Sequence, residues 1–309
     1  LEIGEMPDPV PGPDEVRIRL KASGINPGDI KKRQNAFGYG MPYPRVVPHS
    51  DGAGYIDLVG GGVPSDRQGQ RVWCYGAQSY RPFGTAADYT IVPAAQAVPL
   101  PEHVSFEQGA CLGIPGITAH RCVHVAGPVE GRSVLVHGGA GAVGICAVQL
   151  ATRAGATVLA TVRTDADASI ARRAGAHHVM RNGADLVERV REVAPRGVDH
   201  IVEVAFAANI GSDAEMLALR GSIATYASDA GMPGIPFWPL LFKNIRVDFL
   251  GSDDFTPLEK RDAARALNEA LTGGWSGFDI VEAFPLEKIV TAHERLDSAA
   301  RRGRIVLVL

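Results

Sequence analysis

SVLVHGGAGAVG, residues Ser133 to Gly144, decides how the rest of this 309-residue chain is read. Ser133–His137 is a short aliphatic run with Val134, Leu135 and Val136 as its body, the pattern of a buried strand. Glycines follow at Gly139, Gly141 and Gly144, a G-x-G-x-x-G spacing, and Ile145–Ala154 (ICAVQLATRA) carries the apolar face of a helix. In such a turn one glycine permits a sharp reversal, one lets a pyrophosphate approach the backbone, and one lets helix and strand pack closely. The helix N-terminus offers free N–H groups and a positive dipole end to the phosphates. The spacing alone is unspecific, but a strand before it and a helix after it supply the context the motif needs.

The next strand, Thr157–Val162, ends at Arg163, about 20 residues past the glycines, where an acid would hold the ribose 2′-hydroxyl of NAD. Arginine followed by Thr164 stands there instead. A guanidinium can pair with a 2′-phosphate through charge-assisted hydrogen bonds, so NADP(H) is favoured over NAD(H). Asp165 and Asp167 argue weakly the other way, and Arg163 can also be read as a plain exposed loop cation.

Outward from this core, strands alternate with helices. Strands are expected at His177–Met180, His200–Ala205, Ser222–Tyr226 and Arg246–Leu250, with helices at Ala142–Ala154, Ala166–Ala174, Ala184–Val193 and Ser212–Leu219. Such alternation predicts a doubly wound parallel sheet in an α/β fold. Residues 1–107 read instead as short strands broken by Gly and Pro, a partly closed barrel. The final strand–helix–strand, Val281–Pro285, Leu286–Ala299 and Arg304–Leu309, is expected to return to that barrel.

Composition narrows the class. Hydrophobic residues make up 46%, charged residues 21%, and the net charge is −3. No basic run points to nucleic acid or an anionic membrane surface, and no apolar run approaches the ~18 residues of a span. Cys74, Cys111, Cys122 and Cys146 are scattered without a C-x-x-C pair, which favours a reducing, cytoplasmic setting. The chain starts at Leu1, so targeting is read with that gap open.

GINPGD (Gly24–Asp29), DGAG (Asp51–Gly54), GIPGITA (Gly113–Ala119), the glycine turn, GAHH (Gly175–His178) and the closing GRIVLVL fall in an order that resembles zinc-free medium-chain dehydrogenase/reductases of the quinone oxidoreductase, zeta-crystallin-like type. The resemblance covers nearly the whole chain, short of a first β-hairpin. It implies a Rossmann domain at 108–251 inserted into a GroES-like domain formed by 1–107 and 252–309. It also implies a homodimer joined through the sheet edge at Arg246–Leu250.

Zinc relatives carry a cysteine in the first loop, a histidine before the acid at Asp51, and a second cysteine near Cys111. This chain has Asn26-Pro27, Ser50 and a lone Cys111, with His49 one residue out of place. A catalytic zinc needs three protein ligands converging on one open site, so no metal is expected, Cys111 reads as a small buried thiol, and Asp51 is expected to brace the loop. Without a Lewis acid, the expected chemistry is hydride delivery from NADPH to a quinone. The alternatives are an α,β-unsaturated carbonyl acceptor or a non-catalytic, crystallin-like NADPH-binding protein. The resemblance places Asn26 near the nicotinamide ribose and Thr118 beside the cofactor. It sets Gly139, Ala140, Gly141, Ala142 and Val143 on the pyrophosphate, and Arg163, Thr164 and Asn182 around the 2′-phosphate. Tyr226, Ala227, Ser228, Asp229, Leu250, Gly251 and Ser252 fall near the nicotinamide. Asn26 and Thr118 can also be read as a turn residue and a helix hydroxyl. Tyr39, Tyr43 and Val47 belong to a loop bordering the pocket, and no proton donor or other catalytic residue is named.

Overall fold

The computed structural model describes residues 1–38, 40, 43–297 and 303–309; Tyr39 and the end of the helix expected to reach Ala299 lie outside them. In chain order the first elements are β1 (Glu15–Gly24), α1 (Pro27–Arg33), β2 (Asp51–Val59), β3 (Arg71–Cys74), β4 (Tyr89–Pro93), β5 (Ala97–Pro99), α2 (Phe106–Gly109) and α3 (Gly113–His124). Next come β6 (Ser133–Val136), α4 (Ala142–Arg153), β7 (Thr157–Val162), α5 (Asp165–Arg173), β8 (His178–Arg181), α6 (Leu186–Val193), β9 (Val198–Glu203) and α7 (Phe206–Met216). The chain continues through β10 (Leu217–Thr225), α8 (Phe237–Phe242), β11 (Arg246–Phe249), α9 (Pro257–Thr272), β12 (Ile280–Pro285), α10 (Ile289–Asp297) and β13 (Arg304–Val308).

Two compact units result: Leu1–Pro115 with Phe255–Leu309, and Gly116–Asp254. The limits expected at 107/108 and 251/252 therefore fall at 115/116 and 254/255. The first shift has a packing cause. Gly109 of α2 lies so close to Ala53 and Leu100 that a Cβ there would sit 3.0 and 3.1 Å from their side chains, which ties α2 to the strands before it.

The first unit is a seven-stranded sheet in the order β12-β13-β1-β2-β3-β5, with β4 also pairing β1. Alternation along β1 sends Val16, Ile18 and Leu20 into a core with Ile56, Val72 and Val92. Gly54 is required where β2 meets β1, because a Cβ there would strike the Arg19 carbonyl. The returning β13 pairs antiparallel with β1, Ala22 opposite Val308 and Gly24 opposite Val306, as expected of the closing strand.

The second unit is a six-stranded sheet in the order β11-β10-β9-β6-β7-β8, its pairings parallel throughout. Strands buried on both faces carry Leu135, Leu159, Ile201 and Ile223 in one core, as parallel sheets require. This is the doubly wound α/β arrangement expected. Two helices differ: α8 is not among those expected, and the one expected at 212–219 spans Phe206–Met216, with β10 starting at Leu217 rather than 222. The Glu203 carboxylate takes the Ala205 amide and the Asn209 side chain, fixing the first turn early. Lys243 Nζ then donates to the carbonyls of Ala214, Glu215 and Leu217 at 2.7, 2.9 and 2.6 Å and closes the C-terminal end.

Candidate functional site

In the unit 116–254 the reversal in strand order lies between β6 and β9, and open parallel sheets bind ligands outside the carboxyl ends of their strands at such a point. The glycine turn leaves β6 there. Gly138, which the motif spacing passed over, makes the reversal at φ +67°. Its carbonyl receives the Gly141 amide at 2.8 Å, and a Cβ on Gly144 would strike that same carbonyl. Gly139 packs against β7, where a Cβ would lie 2.7 Å from Ala160 Cβ. Gly141 is the N-cap of α4, in extended backbone, with Ala140, Ala142 and Val143 around it. A side chain at Gly139 or Gly144 would strike β7 or the turn's own backbone, so both glycines keep strand, turn and helix closely packed, the form that brings backbone N–H groups to a pyrophosphate.

The other expected residues of this unit follow the carboxyl ends of neighbouring strands. Arg163, past β7, is exposed and makes no side-chain hydrogen bond or ion pair among the described residues. Thr164 caps α5: its hydroxyl accepts from the Asp167 amide at 3.2 Å while Asp167 accepts from the Thr164 amide at 3.1 Å. Asp167 is thus committed to the helix rather than facing a phosphate. Asn182, exposed past β8, donates its amide to the Val162 carbonyl at 2.9 Å. Arg181, which sequence reading missed, reaches across to the Arg163 carbonyl at 3.4 Å and to Asp165 at 3.6 Å. Past β10, Ala227 accepts from Phe206, Ser228 donates to the Ala230 carbonyl, and Asp229 accepts from the Ala208 amide. Leu250 donates to Thr225 at 2.9 Å, with Gly251 and Ser252 following. Thr118 is buried within α3.

Behind the turn lies a cluster no motif reports: His137, Glu203 and Asp213, all buried. His137 Nε2 is 2.9 Å from Asp213 Oδ1 and 3.5 Å from Glu203 Oε2. These are metal-ligand types, yet their atoms are largely spoken for. Both Glu203 oxygens accept from Asn209 Nδ2, at 3.0 and 3.1 Å, and His137 Nδ1 is bonded to Thr161 at 3.1 Å. Burial, with the charge of Asp213 beside it, pushes the Glu203 carboxyl upward.

Asn26 belongs to the other unit. It caps α1 in a reciprocal box with Asp29, and its amide donates to Asp51 Oδ2 at 2.6 Å while accepting from Arg304 at 3.0 Å. Asp51 also takes the Ile114 amide at 2.9 Å, the bracing role expected of it, and leaves room only for glycine at 113. Burial raises the Cys111 thiol, against the pull of Arg304. His49 is pinned by Ser23 on one side and His293 on the other, each at 2.8 Å, and burial holds both imidazoles neutral at ordinary pH. Tyr43 donates its hydroxyl to the Tyr80 carbonyl at 2.8 Å, and Val47 bridges to Phe83.

Comparison with known proteins agrees with this geometry. Residues 12–102 match the alcohol dehydrogenase GroES-like domain and residues 142–269 the zinc-binding dehydrogenase model. Fold and glycine turn together define a medium-chain dehydrogenase/reductase. The mouse (Mus musculus) quinone oxidoreductase is 32% identical over 97% of this chain and 91% of its own. Mycobacterial Rv1454c, solved in complex with NADPH, superposes with a TM-score of 0.85 at 28% identity, over 99% of this chain and 94% of that one. A 2-haloacrylate reductase superposes with a TM-score of 0.82 at 27% identity, over 99% and 94%. The chain belongs to the quinone oxidoreductase family of these reductases.

Proposed function

We propose that this chain is an NADPH-dependent reductase that passes hydride to a quinone without a metal. The observation that carries the reading is the unpartnered Arg163 guanidinium at the carboxyl end of β7, beside a turn shaped for pyrophosphate. A cation there favours the 2′-phosphate, Arg181 adds a second, and Asp167 is spent on the α5 cap. The likeness to an NADPH-bound relative supports the same cofactor. When bound, the nicotinamide supplies the hydride.

The chain's own residues bind and orient. The amides around Gly139–Val143 receive the pyrophosphate, and Arg163, Thr164 and Asn182 surround the 2′-phosphate. Thr118, Tyr226–Asp229 and Leu250–Ser252 border the nicotinamide. Asn26 keeps one amide hydrogen beyond its bond to Asp51, enough for the ribose. Metal independence is supported by the donor set: Asn26 is bonded to both Asp51 and Arg304, and burial keeps the Cys111 thiol from ionising readily. Reduction of an activated carbon–carbon double bond is the second reading, favoured by the similarity to 2-haloacrylate reductase.

NADPH oxidation with a quinone and with an enone, before and after exhaustive chelation, tests these readings. Faster turnover of the quinone, unchanged by chelation, is expected. Faster turnover of the enone selects the second reading, no turnover of either selects the crystallin-like one, and loss on chelation overturns metal independence.

We further propose a cytoplasmic homodimer that contacts neither nucleic acid nor membrane. No helix among the described residues is long and apolar enough to cross a membrane, and the four cysteines are free and buried. β11 lies at the sheet edge with Phe249 exposed, and an unpaired edge invites pairing with a second copy. Val247→Pro removes a backbone donor and is expected to shift sedimentation to monomer with the circular dichroism retained. A folded variant that stays dimeric rules this edge out.

A further inference from the structure

His137 directly follows β6 and precedes Gly138, at the foot of the glycine turn. Its Nδ1 is 3.1 Å from Thr161 Oγ1 on β7, and that hydroxyl also accepts from the Gly138 amide at 3.2 Å. The Thr161 carbonyl receives the Gly139 amide at 2.9 Å. Gly138 and Gly139 therefore hang on one residue through two bonds, and the Gly138 carbonyl in turn sets Gly141 and limits residue 144 to glycine. The path from imidazole to the expected pyrophosphate cradle is short and continuous.

Burial favours the neutral Glu203 carboxyl, so a proton on the imidazole balances the Asp213 carboxylate bonded to it at 2.9 Å. Asp213 and Glu203 are fully buried, and a buried carboxylate without a cation is costly. Asn209 from α7 is neutral. From the end of β10, burial drives the Tyr226 hydroxyl far up, with Glu203, Cys122 and Cys146 adding to it, so it stays neutral too. For His137 itself, burial opposes protonation, and the Asp213 hydrogen bond with the Asp213 and Glu203 charges outweighs it.

We propose that His137 is a positioning residue for the dinucleotide: as an imidazolium it donates to Asp213 and to Thr161, and through Thr161 it fixes the amides of the pyrophosphate turn. This rests on the reading of that turn as an NADPH site. The role predicts an effect on affinity that fades once the imidazole is neutral.

Titrating NADPH by the fluorescence of its reduced nicotinamide tests this without turnover. Thr161→Val keeps the shape but loses the hydroxyl and should weaken binding about tenfold, whereas Thr161→Ser should stay within about twofold. Asp213→Asn should let His137 lose its proton at lower pH. The ratio of variant to wild-type dissociation constants should then be near one at about pH 5.5 and rise to roughly fivefold near neutrality. The 2′-phosphate titrates alike in both proteins and cancels. A folded Thr161→Val with wild-type affinity, or a serine variant as weak as valine, overturns the proposal. A pH-independent ratio for a folded Asp213→Asn does so as well. Should Asp213→Asn fail to fold, the Thr161 pair decides. Wild-type protein that does not bind NADPH removes the cofactor reading itself, a different result from bound NADPH that is indifferent to these variants.

Discussion

The carboxylates of Asp51 and Asp213 are equally buried, one in each unit, yet they are satisfied differently. Asp51 receives an amide from Asn26 and a backbone N–H from Ile114, with the Arg304 guanidinium one residue beyond. Asp213 holds His137 with one oxygen and has no partner on the other. Both Asp51 oxygens are bonded, although Arg304 Nε in the same cluster has no hydrogen-bond partner, and satisfied buried polar groups rigidify a core. The first cluster locks the loop at Asn26 to the start of β2. The second stands under the expected phosphate turn, and its titratable groups remain poised.

The contrast breaks most visibly through Asp51. Asp51→Ala leaves the Asn26 side-chain amide and the Ile114 N–H unsatisfied. Stability should fall by about 2–4 kcal/mol, read from urea unfolding. A loss under about 1 kcal/mol would mean the cluster is not the brace described here.

Arg163→Ala probes the opposite case, a charge with no structural duty. Stability should be unchanged, while NADPH binding weakens by about 1.5–3 kcal/mol and NADH binding stays the same. Equal losses for the two cofactors would remove the 2′-phosphate assignment.

The smallest effect sharpens the comparison within the first unit. Burial raises the Asp29 carboxyl from 3.8 to about 7, against the pull of the Asn26 amide. A raised folded-state value means stability is fully present below 3.8 and is lost as pH climbs towards about 7. Asp29→Asn keeps an oxygen for the Asn26 amide and removes the charge. The decline in unfolding midpoint across that window should flatten, and an unchanged slope would show that Asp29 ionises freely.

The local part of this molecule was legible in its sequence. Glycine spacing placed the turn, and the β-branched run at 157–162 placed β7. What stayed hidden depends on distance along the chain. Arg304 meets Asn26 across 278 positions and His137 meets Asp213 across 76, and nothing in either neighbourhood announces the partner. Gly138 escaped because the motif counts spacings rather than backbone angles, although the doubled glycine was a visible signal. The early start of α7 escaped because its first turn is fixed by the Glu203 side chain, an effect no propensity scale contains.

The interleaving of the two units bears on how the protein comes off the ribosome. Gly116–Asp254 is continuous and can complete its sheet as soon as it has emerged, since domains fold as units during synthesis. The first 115 residues emerge earlier yet must wait. The Ala22–Gly24 end of β1 lacks a partner on one side until Arg304–Val308 arrive to pair with it, and Asn26 lacks its arginine until the same moment. The unit translated first is therefore finished last. For that interval a chaperone has an exposed strand to hold, and a stalled or shortened chain would present that strand to its neighbours.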